Sequence, residues 1–219
     1  MEQASSTANA LPTVEPILNP PGPILFRRRV YRDERGAFVE SYHEGRYHDL
    51  GLEIRLVQTN CSTSVRGVLR GLHFQHPHAQ GKLVSVVRGS VYDVAVDIRV
   101  GSPSFGEWYG VELSADNGLQ LWVPPDFAHG FLALSEEADV LYHCTELYDP
   151  VSERTLKWDD PTIGVDWPLA DPLISSKDEV GWTLRRLQLK GLLPVYRPER
   201  GGAPQTPRPV TGRASPVVL

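Results

Sequence analysis

The chain is poor in cysteine: Cys61 and Cys144 are the two thiols in 219 residues. Two are too few for a disulfide framework, so both are read as free thiols of a reducing cytoplasm. No run of 18 apolar residues occurs, and no transmembrane helix is expected. Residues 1 to 10 lack a basic start and an apolar centre, so they are not expected to act as a secretory signal. Positive charge is not in excess either. The formal net charge is -5, which leaves no overall field to hold nucleic acid or an anionic membrane. Arg27, Arg28 and Arg29 form a basic triplet, read as a solvated strand edge. Local arginines can still hold a small anion.

With 41% hydrophobic and 22% charged residues, the composition is that of an ordinary soluble domain. Turn residues cut the chain into short strand-like runs. Residues 24 to 32 and 37 to 42 flank the turn Asp33-Glu34-Arg35-Gly36. Residues 43 to 53 have room for one or two helical turns. Residues 56 to 60 read as a strand, with a turn at Ser62-Thr63-Ser64. Further strands are expected over 108 to 113, 119 to 123, 127 to 134 and 140 to 147. The clearest period lies within 83 to 100, where Tyr92, Val94, Val96 and Ile98 alternate with Asp93, Ala95, Asp97 and Arg99. Such alternation predicts a half-buried strand whose polar face can line a barrel cavity. The pattern as a whole predicts an all-β sandwich or barrel. Residues 149 to 178 read as a loop wrapped around it, ending at a helix start capped by Ser175. The expected organisation is an arm over 1–23, a domain over 24–185 and a largely disordered extension over 186–219.

Chemistry-bearing residues concentrate in 67 to 82, Gly-Val-Leu-Arg-Gly-Leu-His-Phe-Gln-His-Pro-His-Ala-Gln-Gly-Lys. This stretch reads as a hairpin that brings Arg70, His73 and Lys82 to one spot. Strand alternation sets His73 on a face with Gly71 and Gln75, opposite Leu72 and Phe74. Here His73 is read as a base, with a satisfied core histidine as the other reading. His129, in Phe-Ala-His-Gly-Phe, sits similarly on an apolar strand. His76 and His78 are read as turn residues beside Pro77.

Clustered histidines raise the question of a metal. His76 and His78 have the i, i+2 spacing of a β-barrel metal site, yet no carboxylate follows until Asp93, and Lys82 opposes a cation. Imidazole, ammonium and phenol suit proton abstraction beside a carbonyl: a base, a cation for the enolate oxygen, and an acid. Lys82 can supply the charge. Tyr142 can be the acid, although by spacing alone it reads as a buried strand tyrosine.

Several motifs resemble the dTDP-4-dehydrorhamnose 3,5-epimerase family, which includes deoxysugar 3- and 5-epimerases of antibiotic pathways. They are Gln58-Thr-Asn60-Cys-Ser62, Arg70-Gly-Leu-His73-Phe-Gln75, Gln80-Gly-Lys82-Leu-Val, Asp93-Val-Ala-Val-Asp97-Ile-Arg99, Pro124-Pro-Asp-Phe-Ala-His129-Gly-Phe and Ser176-Lys-Asp178. The resemblance runs in order from about residue 24 to 185. It implies a double-stranded β-helix, a cupin-like jelly roll, working as a homodimer without metal or other cofactor on a dTDP-4-keto-6-deoxyhexose. By position, it makes His73 the base, Asp178 its orienting carboxylate, Lys82 the enolate stabiliser and Tyr142 the opposite-face acid. Arg35, Glu40, Gln58, Asn60 and Arg70 would hold the nucleotide and diphosphate, with His129, Glu153 and Lys177 completing the pocket. Asp126 stands where the family commonly has Gly or Glu-Gly before Phe-Ala-His-Gly. A metal-dependent cupin enzyme and a non-catalytic sugar-nucleotide binding protein are the alternatives. Whether C3, C5 or both would be inverted is left open by these residues.

Overall fold

Backbone hydrogen bonds gather the short strands into two antiparallel sheets. The structure, a computed structural model, describes residues 13–16 and 22–198. Its elements in chain order are β1 (Thr13–Pro16), β2 (Ile24–Arg27), β3 (Val30–Asp33), β4 (Gly36–Val39), α1 (Glu44–Asp49), β5 (Gln58–Val65), β6 (Leu69–Gln75), β7 (Lys82–Arg88) and β8 (Ser90–Asp97). They continue with β9 (Trp108–Ser114), β10 (Leu119–Val123), β11 (Phe127–Ala133), β12 (Glu137–Cys144), β13 (Glu153–Thr155), α2 (Ser176–Glu179) and α3 (Leu184–Leu189). One sheet has the order β1-β2-β10-β7-β12-β5, and the other β13-β6-β11-β8-β9. The hairpin β3-β4 stands apart as a two-stranded sheet. This is the all-β, cupin-like jelly roll expected from the sequence.

The inward residues of both sheets form the main core, including Leu25, Val84, Val91, Ala95, Leu121, Phe127, Phe131 and Val140. Each sheet is also covered outside. Tyr47 and Leu52 of the α1 region pack on Phe26, Leu83 and Trp122 of the first sheet. Leu156, Ile163, Leu184, Leu187 and Leu193 pack on Leu72, Phe74, Val94, Val96 and Ile98 of the second. Among the described residues, no helix is long and apolar enough to cross a membrane.

Four readings change. Residues 67 to 82 do not form a hairpin: β6 and β7 belong to different sheets, so the turn between them crosses from one wall of the sandwich to the other. The expected turn at 62 to 64 is the interior of β5, which pairs with β12 throughout. Its hydroxyl residues resemble a turn, but on a sheet edge they can face solvent or a cavity. The strand expected over 140 to 147 lies at Glu137–Cys144. Finally, β8 is buried on both faces, because the segment from Leu156 to Leu193 covers its outer side. Its alternation separates two cores, with Asp93 and Asp97 on the inner face.

Asp97 receives hydrogen bonds from Arg99, Ser102 and Ser104, so its buried charge is met by a cation and two hydroxyls. The Arg99 guanidinium lies 4.5 Å from the centroid of Phe127 and 5.2 Å from that of Tyr196. The Val100 N–H donates to Pro194 O and the Tyr196 N–H to Val100 O. Packing therefore continues past residue 185. Within the segment read as an arm, β1 pairs with β2. The rest of that segment up to residue 21, and the tail from 199, lie outside the described residues.

Candidate active site

A cavity of about 810 Å³ opens between the two sheets. Ten of the twelve candidate residues line it: His73, Lys82, Tyr142, Asp178, Gln58, Asn60, Arg70, His129, Glu153 and Lys177. The walls have different chemistry because they come from different sheets. His73 on β6, His129 on β11 and Glu153 on β13 belong to the five-stranded sheet. Lys82 on β7, Tyr142 on β12, and Gln58 and Asn60 on β5 belong to the six-stranded one. The sheet crossing at 76 to 81 is what sets His73 and Lys82 on separate walls.

His73 Nε2 lies 2.5 Å from Asp178 Oδ1, across 105 residues of sequence. Asp178 reaches it from α2, whose start is capped as expected: Ser175 Oγ accepts from the Asp178 N–H at 3.2 Å. Burial works to raise the Asp178 pKa, but bonds from His73, the Ser175 hydroxyl and the Gly71 N–H outweigh it and hold the group below its ordinary value. The carboxylate is thus anionic and anchored. It fixes the His73 tautomer with Nε2–H toward Asp178, leaving Nδ1 as the basic nitrogen.

A backbone irregularity lies next to this contact in β6. His129 on β11 is the register partner of His73, and Phe131 that of Arg70, so β6 carries one extra residue between them. Gly71 occupies the bulge with φ of +133°. A Cβ there would stand 2.5 Å from Gly130 Cα and 3.0 Å from His129 O. Gly71→Ala is expected to cost about 3 kcal/mol or more through backbone strain and overpacking, read as a drop in melting temperature.

Lys82 is buried, and its Nζ has no hydrogen-bond partner among the described residues. Burial, the largest influence, lowers its pKa; Cys144, Asp93 and Glu153 act to raise it, and Lys177 to lower it. A cation held in a cavity without a partner suits a negative charge that arrives with a ligand or develops during reaction. The Tyr142 hydroxyl also has no partner among the described residues. Burial first, then Cys144, raises its pKa, so the phenol keeps its proton at neutral pH. Arg70 is braced by Ser64 Oγ at 2.9 Å and Thr63 O at 3.1 Å. The Gln58 side-chain amide donates to Asn60 Oδ1 at 2.9 Å.

One residue missed in the sequence, Tyr148, completes the picture. Tyr148 is a half-exposed ring on the cavity lining, and its hydroxyl donates to Glu153 Oε2 at 2.9 Å. Lys177 Nζ holds the other oxygen of Glu153 at 2.5 Å. Although burial would raise the Glu153 pKa, these bonds and the charges of Lys177 and His73 keep it lowered. A lone loop aromatic has no periodicity to reveal it. Asp93, by contrast, was visible as part of the polar face of β8, and it binds His129 Nε2 at 2.9 Å.

Arg35 and Glu40 do not reach the cavity. Arg35 is at the tip of β3-β4, largely exposed and paired with Asp33, while Glu40 pairs with Arg46 at 2.7 Å. His78 is tied to Asp149 at 2.9 Å outside the cavity. No group of three or more His, Cys, Asp or Glu residues is arranged to hold a metal among the described residues.

The description dTDP-4-dehydrorhamnose 3,5-epimerase matches residues 18–186. The chain belongs to this family. It is 54% identical over 163 residues to the dTDP-4-dehydrorhamnose 3,5-epimerase of Methanothermobacter thermautotrophicus, covering 74% of this chain and 88% of the relative. It also resembles the crystal structure of the 3,5-epimerase from Legionella pneumophila in complex with dTDP-4-keto-L-rhamnose. There the TM-score is 0.77 and the identity 48%, over 80% of this chain and 94% of the other. A 4-keto-6-deoxy sugar epimerase from the novobiocin cluster of Streptomyces spheroides gives a TM-score of 0.81 at 37% identity, over 89% and 98% of the two chains. This epimerase family thus accounts for the order of the motifs as well as the fold, and the chain is an isomerase by membership.

Proposed function

We propose that the chain inverts C3, C5 or both of a dTDP-4-keto-6-deoxyhexose, in dTDP-rhamnose or antibiotic deoxysugar biosynthesis. The observation that carries this reading is the placement of a His73–Asp178 dyad and an unpartnered Tyr142 phenol on opposite walls of one cavity. The C4 ketone acidifies the protons on both neighbouring carbons. His73 Nδ1 takes a proton from one face of the ring. The electron pair moves onto the C4 oxygen, where the Lys82 ammonium meets the new charge. Tyr142 then gives a proton to the carbon from the other face, and the configuration is inverted. Solvent restores both groups, so the reaction is redox-neutral and no cofactor enters it.

Arg70, Gln58 and Asn60 are proposed to hold the diphosphate and nucleoside. The Arg70 guanidinium suits charge-assisted bonds to phosphate. Tyr148, a half-exposed ring on the cavity lining, offers a stacking face for a base. His129, Glu153 and Lys177 complete the sugar end. Arg35 and Glu40 can serve the same site only from a second copy, since their hairpin lies outside this chain's cavity. The exposed Tyr31 and Phe38 on that hairpin support such a contact, and the working unit is proposed to be a cytoplasmic homodimer.

The test is proton NMR of the 4-keto sugar nucleotide with the enzyme in heavy water. Loss of the C3 or C5 proton signal is expected, and the set of signals lost gives the carbons used. If neither proton exchanges with folded enzyme, the proposal fails.

A further inference from the structure

We propose that Asp93 is a positioning residue of this site: a buried carboxylate that fixes the tautomer of His129. The inference rests on the epimerase reading above. Asp93 is fully buried on the inner face of β8, and both its oxygens lie near His129 Nε2, at 2.9 and 3.1 Å. No other hydrogen bond reaches it among the described residues. A carboxylate removed from water with a single donor keeps that donor's proton firmly in place. His129 is itself buried and lines the cavity. With Nε2–H committed to Asp93, its Nδ1, which has no partner among the described residues, is left to accept from a ligand hydroxyl.

This is the same arrangement as in His73, its register partner on β6, which also bonds a buried carboxylate through Nε2. The supports differ. Asp178 is held by the Gly71 N–H and the Ser175 hydroxyl as well as by its imidazole. Asp93 has His129 alone among the described residues. Asp93 therefore acts through His129, whose Nδ1 lone pair it turns toward the sugar.

Asp93→Asn keeps the size and removes the charge. In the full-length enzyme its kcat is expected to fall about 10²-fold, with KM changing far less, since the ligand is misplaced and not lost. A purely structural role would not separate kcat from KM in this way. In a His129→Gln background the same substitution should cost less than in the wild type, because part of its effect is already gone. Nitrogen NMR of the wild type reads the tautomer directly, and His129 should carry its proton on Nε2. A folded Asp93→Asn enzyme with wild-type kcat would overturn the proposal. So would a His129 protonated on Nδ1 alone, a result that does not depend on any variant folding. Wild-type enzyme that fails to exchange C3 or C5 protons would instead sink the epimerase reading itself.

Discussion

His73→Asn is expected to slow deuterium exchange at every carbon the enzyme uses by about 10³-fold. Asparagine keeps a polar side chain beside Asp178, but it has no nitrogen that can take a proton from carbon near neutral pH. One imidazole serves both carbons in this mechanism, so exchange at C3 and C5 should fall together. Binding of dTDP, measured by calorimetry, should change little, because Arg70, Gln58 and Asn60 are the residues proposed to hold the nucleotide and none of them bonds His73. A folded variant that exchanges at wild-type rate would remove His73 from the base role. One that lost exchange at a single carbon would require a second base.

How much of this was legible in the sequence depends on whether the signal was local. The face of His73 followed from strand alternation over Leu72, His73 and Phe74, and the structure keeps that assignment, with Leu72 and Phe74 in the outer core. The α2 cap followed from Ser175 and the acids after it. The partner of His73 did not follow from spacing. Asp178 lies 105 residues away on a four-residue helix, and the family resemblance alone connected them. The two-walled cavity was likewise hidden, because a turn at 76 to 81 looks the same whether it closes a hairpin or crosses between sheets. The double burial of β8 was hidden for a related reason. Alternation reports that a strand's two faces differ, and a polar inner face holding Asp93 and Asp97 against an apolar outer core gives the same pattern as a strand half in water. Arg35 and Glu40 show the limit from the other side. Position in the family resemblance carried them into the site, but the fold of one chain does not.

Tyr142→Phe should separate proton exchange from inversion. The substitution removes one oxygen from a side chain that packs partly against the main core and makes no hydrogen bond through that oxygen among the described residues. Little stability should be lost, and the opposite-face proton donor is gone. His73 still removes a proton and, after exchange with solvent, returns it to the same face. Deuterium should therefore enter the abstracted position at a rate within about tenfold of wild type, while inversion falls by about 10³-fold. The pH profile of the remaining exchange adds a second check. Burial lowers the Lys82 pKa and raises that of Tyr142, so on the alkaline side Lys82 loses its charge first. The ammonium form is the one proposed to stabilise the enolate, so exchange should decline as pH rises through the Lys82 pKa. That decline should be the same in wild type and Tyr142→Phe. Were the alkaline limb to vanish in the variant, the group that titrates would be the phenol, and the roles of Lys82 and Tyr142 would have to be reassigned. Were inversion to persist near the wild-type rate, the opposite-face proton would have to come from another group or from water.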